Sequence, residues 1–328
     1  MGRGKMKKYM TEWIVLVMTL CCALLCAVLL SFYTKASLVS KKDPLLFGAT
    51  YMTMNNPFYE VIDEELHNQV EANGDVMITM DPQLSVERQI DQIHVLMDRG
   101  IDVLIVNPVD SRGLVDVLKE AKQQGISIIA IDTNVYDGED FIDYTVVSDN
   151  YQAGVLCAQY MMKHKEAADI VLLSHEAANS AVERLQGFRD TVRQHDGYRI
   201  VAELDCEGQL EKSMPLIEGL FAENVKFDVI MALNDPAALG AVAALQEQGV
   251  EKKEIMVLGV DGAPEAKVLI KEGYMDGTVA QYPKKMAQLA IQAAYQLRAG
   301  EQDLQEEKID VDMINESNID EYLLEGWQ

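Results

Sequence analysis

From residue 45 onward the chain alternates short apolar runs with longer segments whose apolar residues recur at helical spacing. The runs LLFGATYM (45–52), DVMITMD (75–81), DVLIVNP (102–108), SIIAID (127–132), YTVVS (144–148), DIVLLS (169–174), RIVAELD (199–205), DVIMALN (228–234), IMVLGVD (255–261), GTVAQY (277–282) and KIDVDMI (308–314) read as strands. Most are continuously apolar rather than alternating, the pattern of a parallel strand buried on both faces. Helical segments lie between them with recognisable starts and stops. NNPFYEVIDEELHNQVEANG opens on Asn and Pro and ends at Gly74, and two further helices end at Gly125 and Gly249, where a left-handed residue commonly follows a helix. Strands alternating with helices predict doubly wound parallel sheets. There are too many strands for one compact sheet, so the chain is expected to form two α/β domains that split near Val147 and Ser148.

The first 44 residues follow another pattern. A basic tail (1–12) precedes an uncharged apolar run from Trp13 to Tyr33. That run is long enough to cross a bilayer as a helix and longer than a usual secretory apolar core. It reads as an uncleaved signal anchor over 13–33, followed by a polar linker over 34–44. Thr34-Lys35-Ala36 keeps a cleaved signal peptide open as the alternative. Cys21, Cys22 and Cys26 lie inside the run, and none follows the small residue that a lipidation signal needs. Arg3, Lys5, Lys7 and Lys8 before the run, against Lys35, Lys41 and Lys42 after it, favour a cytoplasmic tail and an external carboxyl-terminal part.

Composition narrows the partners. The net charge is −25, which argues against nucleic acid, because a duplex-binding surface needs clustered cations. Outside the apolar run the cysteines are Cys157 and Cys206, and a chain of this size does not need a disulfide staple.

The informative residues sit at the carboxyl ends of the apolar runs, where open α/β sheets bind ligands. They are Asn55 and Asn56, Asp132-Thr133-Asn134, Asn234-Asp235, Asp261-Gly262 and Gln281, joined by Arg184 at the start of a helix. Amides, carboxylates and a guanidinium offer paired donors and acceptors. Neighbouring hydroxyls of a sugar need that mixture, and Phe58 and Tyr59 offer flat faces to the C–H side of its ring.

The motifs MNNPFYEVI, DQIHVLMDRGIDVLIVNPVDS, SAVERLQGF, LNDPAALGAVAALQ, VLGVDGAPEA and GTVAQYPKKMA occur in order and spacing as in the periplasmic sugar-binding proteins of ABC importers. From about Leu45 to about Asn315 the chain resembles the ribose-binding type of that family. The resemblance implies two lobes joined by three crossings, near Val147–Ser148, Gln281–Tyr282 and Asp310–Val311. It assigns 45–147 plus 282–310 to an N-terminal lobe and 148–281 plus 311–328 to a C-terminal lobe. It implies sugar contacts at Asn56, Phe58, Tyr59, Asp132, Thr133, Arg184, Asn234, Asp261 and Gln281. Two positions depart from the ribose pattern: Thr133 stands where an Arg is expected, and Cys206 falls where an aromatic is expected. The resemblance therefore implies a receptor for a pentose or hexose that serves an ABC permease, with a monomeric soluble part. The apolar run suggests the alternative of an anchored sensor signalling to a membrane histidine kinase. A sugar-responsive repressor shares the fold but would carry a basic helix-turn-helix at the amino terminus.

Other readings compete at single residues. Asn56 can cap a helix, Phe58 and Tyr59 can pack in a core, and Arg184 can form a surface ion pair. Asp132 and Asp261 can also cap helices, and Asp235, followed by Pro236, reads first as an N-cap. An enzyme is not expected. Ser180, His175 and Asp132 make a triad only on paper, with no Gly-x-Ser-x-Gly elbow. His67, His94, His164, His175 and His195 lack metal-ligand spacing. There is no Walker-type phosphate loop, and YDGEDFID lacks the calcium-loop pattern. Neither cofactor nor metal is expected.

Overall fold

The computed structural model describes residues 10, 13, 16–21, 23–28, 44–301, 304 and 306–328. It divides into two compact units, Met1–Pro44 and Leu45–Gln328. In the first, the described residues from Met10 to Val28 are helical, and Trp13, Leu16, Leu20, Leu24 and Leu25 are exposed. Among the described residues no helix is long and apolar enough to cross a membrane. Of the expected span over 13–33, residues 13, 16–21 and 23–28 are described, while the tail over 1–12 and the linker over 34–44 fall almost wholly outside the described residues.

The second unit holds two sheets. The first contains β1 (Leu46–Thr50), β2 (Val76–Met80), β3 (Val103–Val106), β4 (Ser127–Ile131), β5 (Tyr144–Ser148) and β11 (Glu307–Ile309), ordered β11-β5-β4-β3-β1-β2. The second contains β6 (Ala168–Ser174), β7 (Tyr198–Asp205), β8 (Val229–Ala232), β9 (Met256–Asp261), β10 (Gly277–Ala280) and β12 (Asp312–Asn315), ordered β12-β10-β9-β8-β6-β7. All pairings are parallel except that of β10 with β12. The helices are α1 (Pro57–Ala72), α2 (Val86–Asp98), α3 (Val115–Gln123), α4 (Asn150–His164), α5 (Asn179–Val192), α6 (Leu210–Ala222), α7 (Asp235–Glu247), α8 (Pro264–Glu272) and α9 (Pro283–Arg298).

Each sheet is covered on both faces, which is why its strands are apolar throughout. In β3, Val103 and Ile105 join a core with Ile62 and Leu66 of α1 and Met286 and Ala290 of α9. Leu104 and Val106 point the other way, to Ile93 and Leu96 of α2 and Leu118 of α3. In β8, Ile230 and Ala232 pack with Ile217 of α6 and Ala241 of α7, while Val229 and Met231 pack with Cys157 of α4 and Phe188 of α5. Burying one such large side chain contributes about 1.5–3 kcal/mol.

Helices α4 and α5 meet backbone to backbone. A Cβ at Gly154 would lie 1.7 Å from the Arg184 carbonyl oxygen, and one at Gly187 would lie 2.0 Å from that of Tyr151. Two bare positions therefore set how closely α5, which carries Arg184, approaches α4.

The chain passes between the sheets after β5, after β10 and between β11 and β12. The last passage corrects the expectation of one strand over 308–314. Glu307–Ile309 pairs with β5 in the first sheet, and Asp312–Asn315 pairs with β10 in the second. Period-two apolar spacing reports an extended backbone but does not name its hydrogen-bonding partner.

Candidate functional site

The carboxyl ends of both sheets face one cavity. Asn56, Phe58, Tyr59, Asp132, Arg184, Asn234, Asp261 and Gln281 line it together. Thr133 does not; it is fully buried and lies outside the lining.

On the first-sheet side, Asn56 caps α1, its Oδ1 accepting a hydrogen bond from Phe58 N at 3.0 Å. Pro57 occupies the first turn, where a missing N–H costs nothing. The cap leaves the Asn56 amide NH2 with no protein acceptor among the described residues. Phe58 and Tyr59 meet edge to face with centroids 5.6 Å apart, and Phe58 meets Trp327 in the same manner at 5.6 Å. The Tyr59 hydroxyl donates to Asp132 Oδ2 at 3.2 Å.

Asp132 is 3% exposed, and its Oδ2 also accepts from Asn107 Nδ2 and Thr133 Oγ1, each at 3.1 Å. Its backbone is left-handed, with φ 67°; that of Asp261, at the end of β9, has φ 143°. Non-glycine residues hold such angles at a cost, which is often met where side chains must be aimed at a ligand. The turn at Asp132 also redirects its successor. Thr133 Oγ1 meets Ser180 Oγ of α5 at 2.8 Å, so this hydroxyl joins the two sides beneath the cavity.

On the second-sheet side, Arg184 lies between two carboxylates. Its Nη2 is 4.0 Å from Asp132 Oδ1, and its Nη1 is 3.8 Å from Asp261 Oδ1. It is held there by Nε donating to Asn150 Oδ1 at 2.8 Å and Nη1 donating to the Leu233 carbonyl at 3.0 Å. Gln281 Nε2 donates to Asp261 Oδ1 at 2.7 Å. Asp261 Oδ2 and Gln281 Oε1 are buried acceptors with no hydrogen-bond partner. Burial raises the Asp261 carboxyl well above the usual carboxylate range; Asp235 nearby adds to this, and Arg184 opposes it. Burial also raises Asp132, against Arg184 and the hydrogen bonds from Thr133, Tyr59 and Asn107.

Asp235 departs from its expected role as a cap. Asn234 is the N-cap of α7, its Oδ1 accepting from Ala237 N at 3.0 Å while its Nδ2 donates to the Gly208 carbonyl at 3.1 Å. The extended backbone of Asn234 (φ −149°, ψ 171°) places the helix start one residue later. Asp235 is fully buried and instead accepts from Thr278 Oγ1 at 2.7 Å and Ala263 N at 2.8 Å, with burial pushing it up to about 6. Cys206 is buried and unpaired, as is Cys157. It lies behind the wall, and Glu207, Gly208 and Gln209 form the surface where the aromatic was expected.

Residue-level reading of the sequence passed over Asn107, which fixes Asp132, and Asn150, which fixes Arg184. Asn107 had the same signal as the others, an amide directly after an apolar run. His175, Thr53 and Gln209 also line the cavity. Ser180 Oγ is paired with Thr133, and no hydrogen bond joins it to His175 among the described residues. No group of three or more His, Cys, Asp or Glu able to hold a metal occurs among the described residues.

Further contacts tie the two sides. Asn55 Nδ2 donates to Gln209 Oε1 at 3.2 Å, Ser111 N to the Ala177 carbonyl at 3.0 Å, and Asn179 N to Ser111 Oγ at 3.1 Å. The cavity is thus held in a closed arrangement. At its edge Gln328 Nε2 donates to the carbonyls of Asp261, Gly262 and Gln281 at 3.0, 3.3 and 3.0 Å.

Two parallel-sheet lobes closed around a small cavity, with three chain passages between them, are the architecture of a two-lobed ligand-binding protein. The family model described as "periplasmic binding protein domain" matches residues 47–302, and the chain belongs to that family. Within that family the chain is similar to ribose-binding proteins. The ribose import binding protein RbsB of Salmonella typhimurium is 29% identical over 280 residues, covering 85% of this chain and 92% of that protein. RbsB of Bacillus subtilis is 28% identical over 264 residues, covering 80% and 84%. A solute-binding protein of an ABC transporter from Bacillus halodurans, solved with bound myo-inositol, superposes with a TM-score of 0.80 at 25% identity, covering 87% of this chain and 99% of that one.

Proposed function

We propose that the chain is an extracytoplasmic receptor that closes on one monosaccharide and presents it to an ABC importer. The observation that carries this reading is the pair of unpartnered buried acceptors, Asp261 Oδ2 and Gln281 Oε1, facing a cavity that also holds Arg184, the free amide of Asn56 and the rings of Phe58 and Tyr59. A buried acceptor without a donor costs about 1–3 kcal/mol. Vicinal hydroxyls supply donors to Asp261 and Gln281 and acceptors to Arg184 and Asn56. The C–H face of the sugar ring rests on the aromatic side chains. Asn234 shapes the wall from within the lining, and Thr133 joins the lobes from behind it.

The moving bodies in this reading are 45–147 plus 282–310 and 148–281 plus 311–328, turning about the three passages. The apolar run at 13–33 serves as a signal anchor that keeps the lobes outside the cytoplasmic membrane. Relatives named for ribose, ribose and allose, and xylose, with a neighbour holding myo-inositol, support a ring polyol as the ligand class. The test is a thermal-shift and calorimetric screen of the full chain in detergent against pentoses, hexoses and inositols. A ligand that binds only the folded form raises the melting temperature; indifference to every polyol would overturn the proposal.

A further inference from the structure

His175 stands where β6 ends and the chain turns toward α5, and it lines the cavity on the wall of the second lobe. It is 6% exposed. Among the described residues no protein group makes a hydrogen bond with its imidazole, although a buried polar ring is ordinarily paired. Beside it, Gly208 and Gln209 form the wall without an aromatic face. The charged groups facing it are Asp205, Glu207 and Lys212 from the same lobe and Asp110 from the other. Burial, with Lys212 adding to it, outweighs the three carboxylates and holds the imidazole below its ordinary value, which favours the neutral ring. A neutral imidazole has one N–H donor and one acceptor nitrogen. In a closed polar cavity, a group of that kind with no protein partner is one that a ligand hydroxyl can satisfy.

We propose that His175 is a specificity-determining residue that hydrogen-bonds one ring hydroxyl of the bound polyol, in place of a second stacking surface. The inference rests on the polyol reading above and adds how one stereoisomer is chosen. A ring held on one aromatic face only is fixed in its plane by polar contacts on the other side. An epimer whose hydroxyl points away from His175 leaves both partners unsatisfied in a dry site, which is where discrimination is largest.

The experiment uses the full chain in detergent, with calorimetry against the best polyol from the screen and its single-centre epimers. His175→Leu should weaken the best ligand roughly tenfold or more and bring at least one rejected epimer to within about threefold of it. His175→Gln, which keeps a donor and an acceptor, should restore most of the preference. Melting temperatures without ligand should match the wild type, which excludes simple misfolding. If His175→Leu keeps wild-type affinity and epimer ratios while Asp261→Ala weakens binding by about a hundredfold, the inference is overturned and the polyol reading stands. If the wild type binds no polyol, both fall.

Discussion

The two walls of the cleft are built on different principles. The first-lobe wall is made of rings and a helix cap, and its one carboxylate, Asp132, is held by Tyr59, Asn107 and Thr133. The second-lobe wall is charged and under-satisfied: Arg184 stands between carboxylates it does not touch, and Asp261 and Gln281 keep acceptors without donors. Among the described residues the first wall leaves one accessible amide NH2, that of Asn56, without an acceptor, whereas the second leaves two buried acceptors without donors. A ligand should therefore seat against the first and be held by the second, so the energetic response to binding should concentrate in the lobe that carries Arg184.

The sharpest way to break this contrast is Arg184→Leu. Removing the cation leaves buried carboxylates uncompensated, a change that costs about 3–5 kcal/mol in comparable settings. The variant should lose many degrees of melting temperature and all ligand response; near-normal stability would show that Arg184 does not balance the cluster. Next in size is Asp261→Ala. It should weaken binding by about a hundredfold, from the loss of a buried hydrogen-bonding partner, while leaving unliganded stability equal or improved because an unsatisfied buried group is gone. Calorimetry and thermal melts on the same preparation separate the two effects.

The titration of the second wall gives a third test. Asp261 and Asp235 bind their protons more tightly folded than unfolded, burial pushing Asp235 up to about 6. Their contribution to stability is therefore fully present below the unfolded carboxylate value of about 4 and is lost as pH rises through the folded value. The melting temperature of the unliganded protein should fall between about pH 5 and pH 7 as Asp235 titrates, and Asp235→Asn should flatten the slope. A wild-type melting temperature that rises across that window would contradict the assignment.

On the first wall the effects should be smaller. Tyr59→Phe keeps the ring and removes one hydroxyl from Asp132, so binding should weaken by about threefold to tenfold. Smallest of all is Asn55→Ala, which removes the bond to Gln209 across the cleft. Affinity should change by less than about threefold, with the change in the dissociation rate measured by stopped flow.

The lobes were legible because strands buried on two faces are apolar at every position, and because Asn56-Pro57 marks a helix start. Most of the candidate site was legible because its amides and carboxylates directly follow those strands. What stayed hidden depends on backbone direction. Nothing in Asp132-Thr133 announces the left-handed turn that carries Thr133 away from the cavity and toward Ser180. Asn234 and Asp235 are both good capping residues, and only the extended backbone of Asn234 decides between them. The run over 308–314 is one extended segment in sequence, but its two ends find partners in different sheets.

The contact between Trp327 and Phe58 has an optical consequence. The chain contains two tryptophans, Trp13 and Trp327, so a Trp13→Phe variant would emit from the cleft edge alone. An indole set against a ring that lines the cavity is a built-in fluorophore. Its wavelength and intensity should register the arrival of a solute without any dye or label.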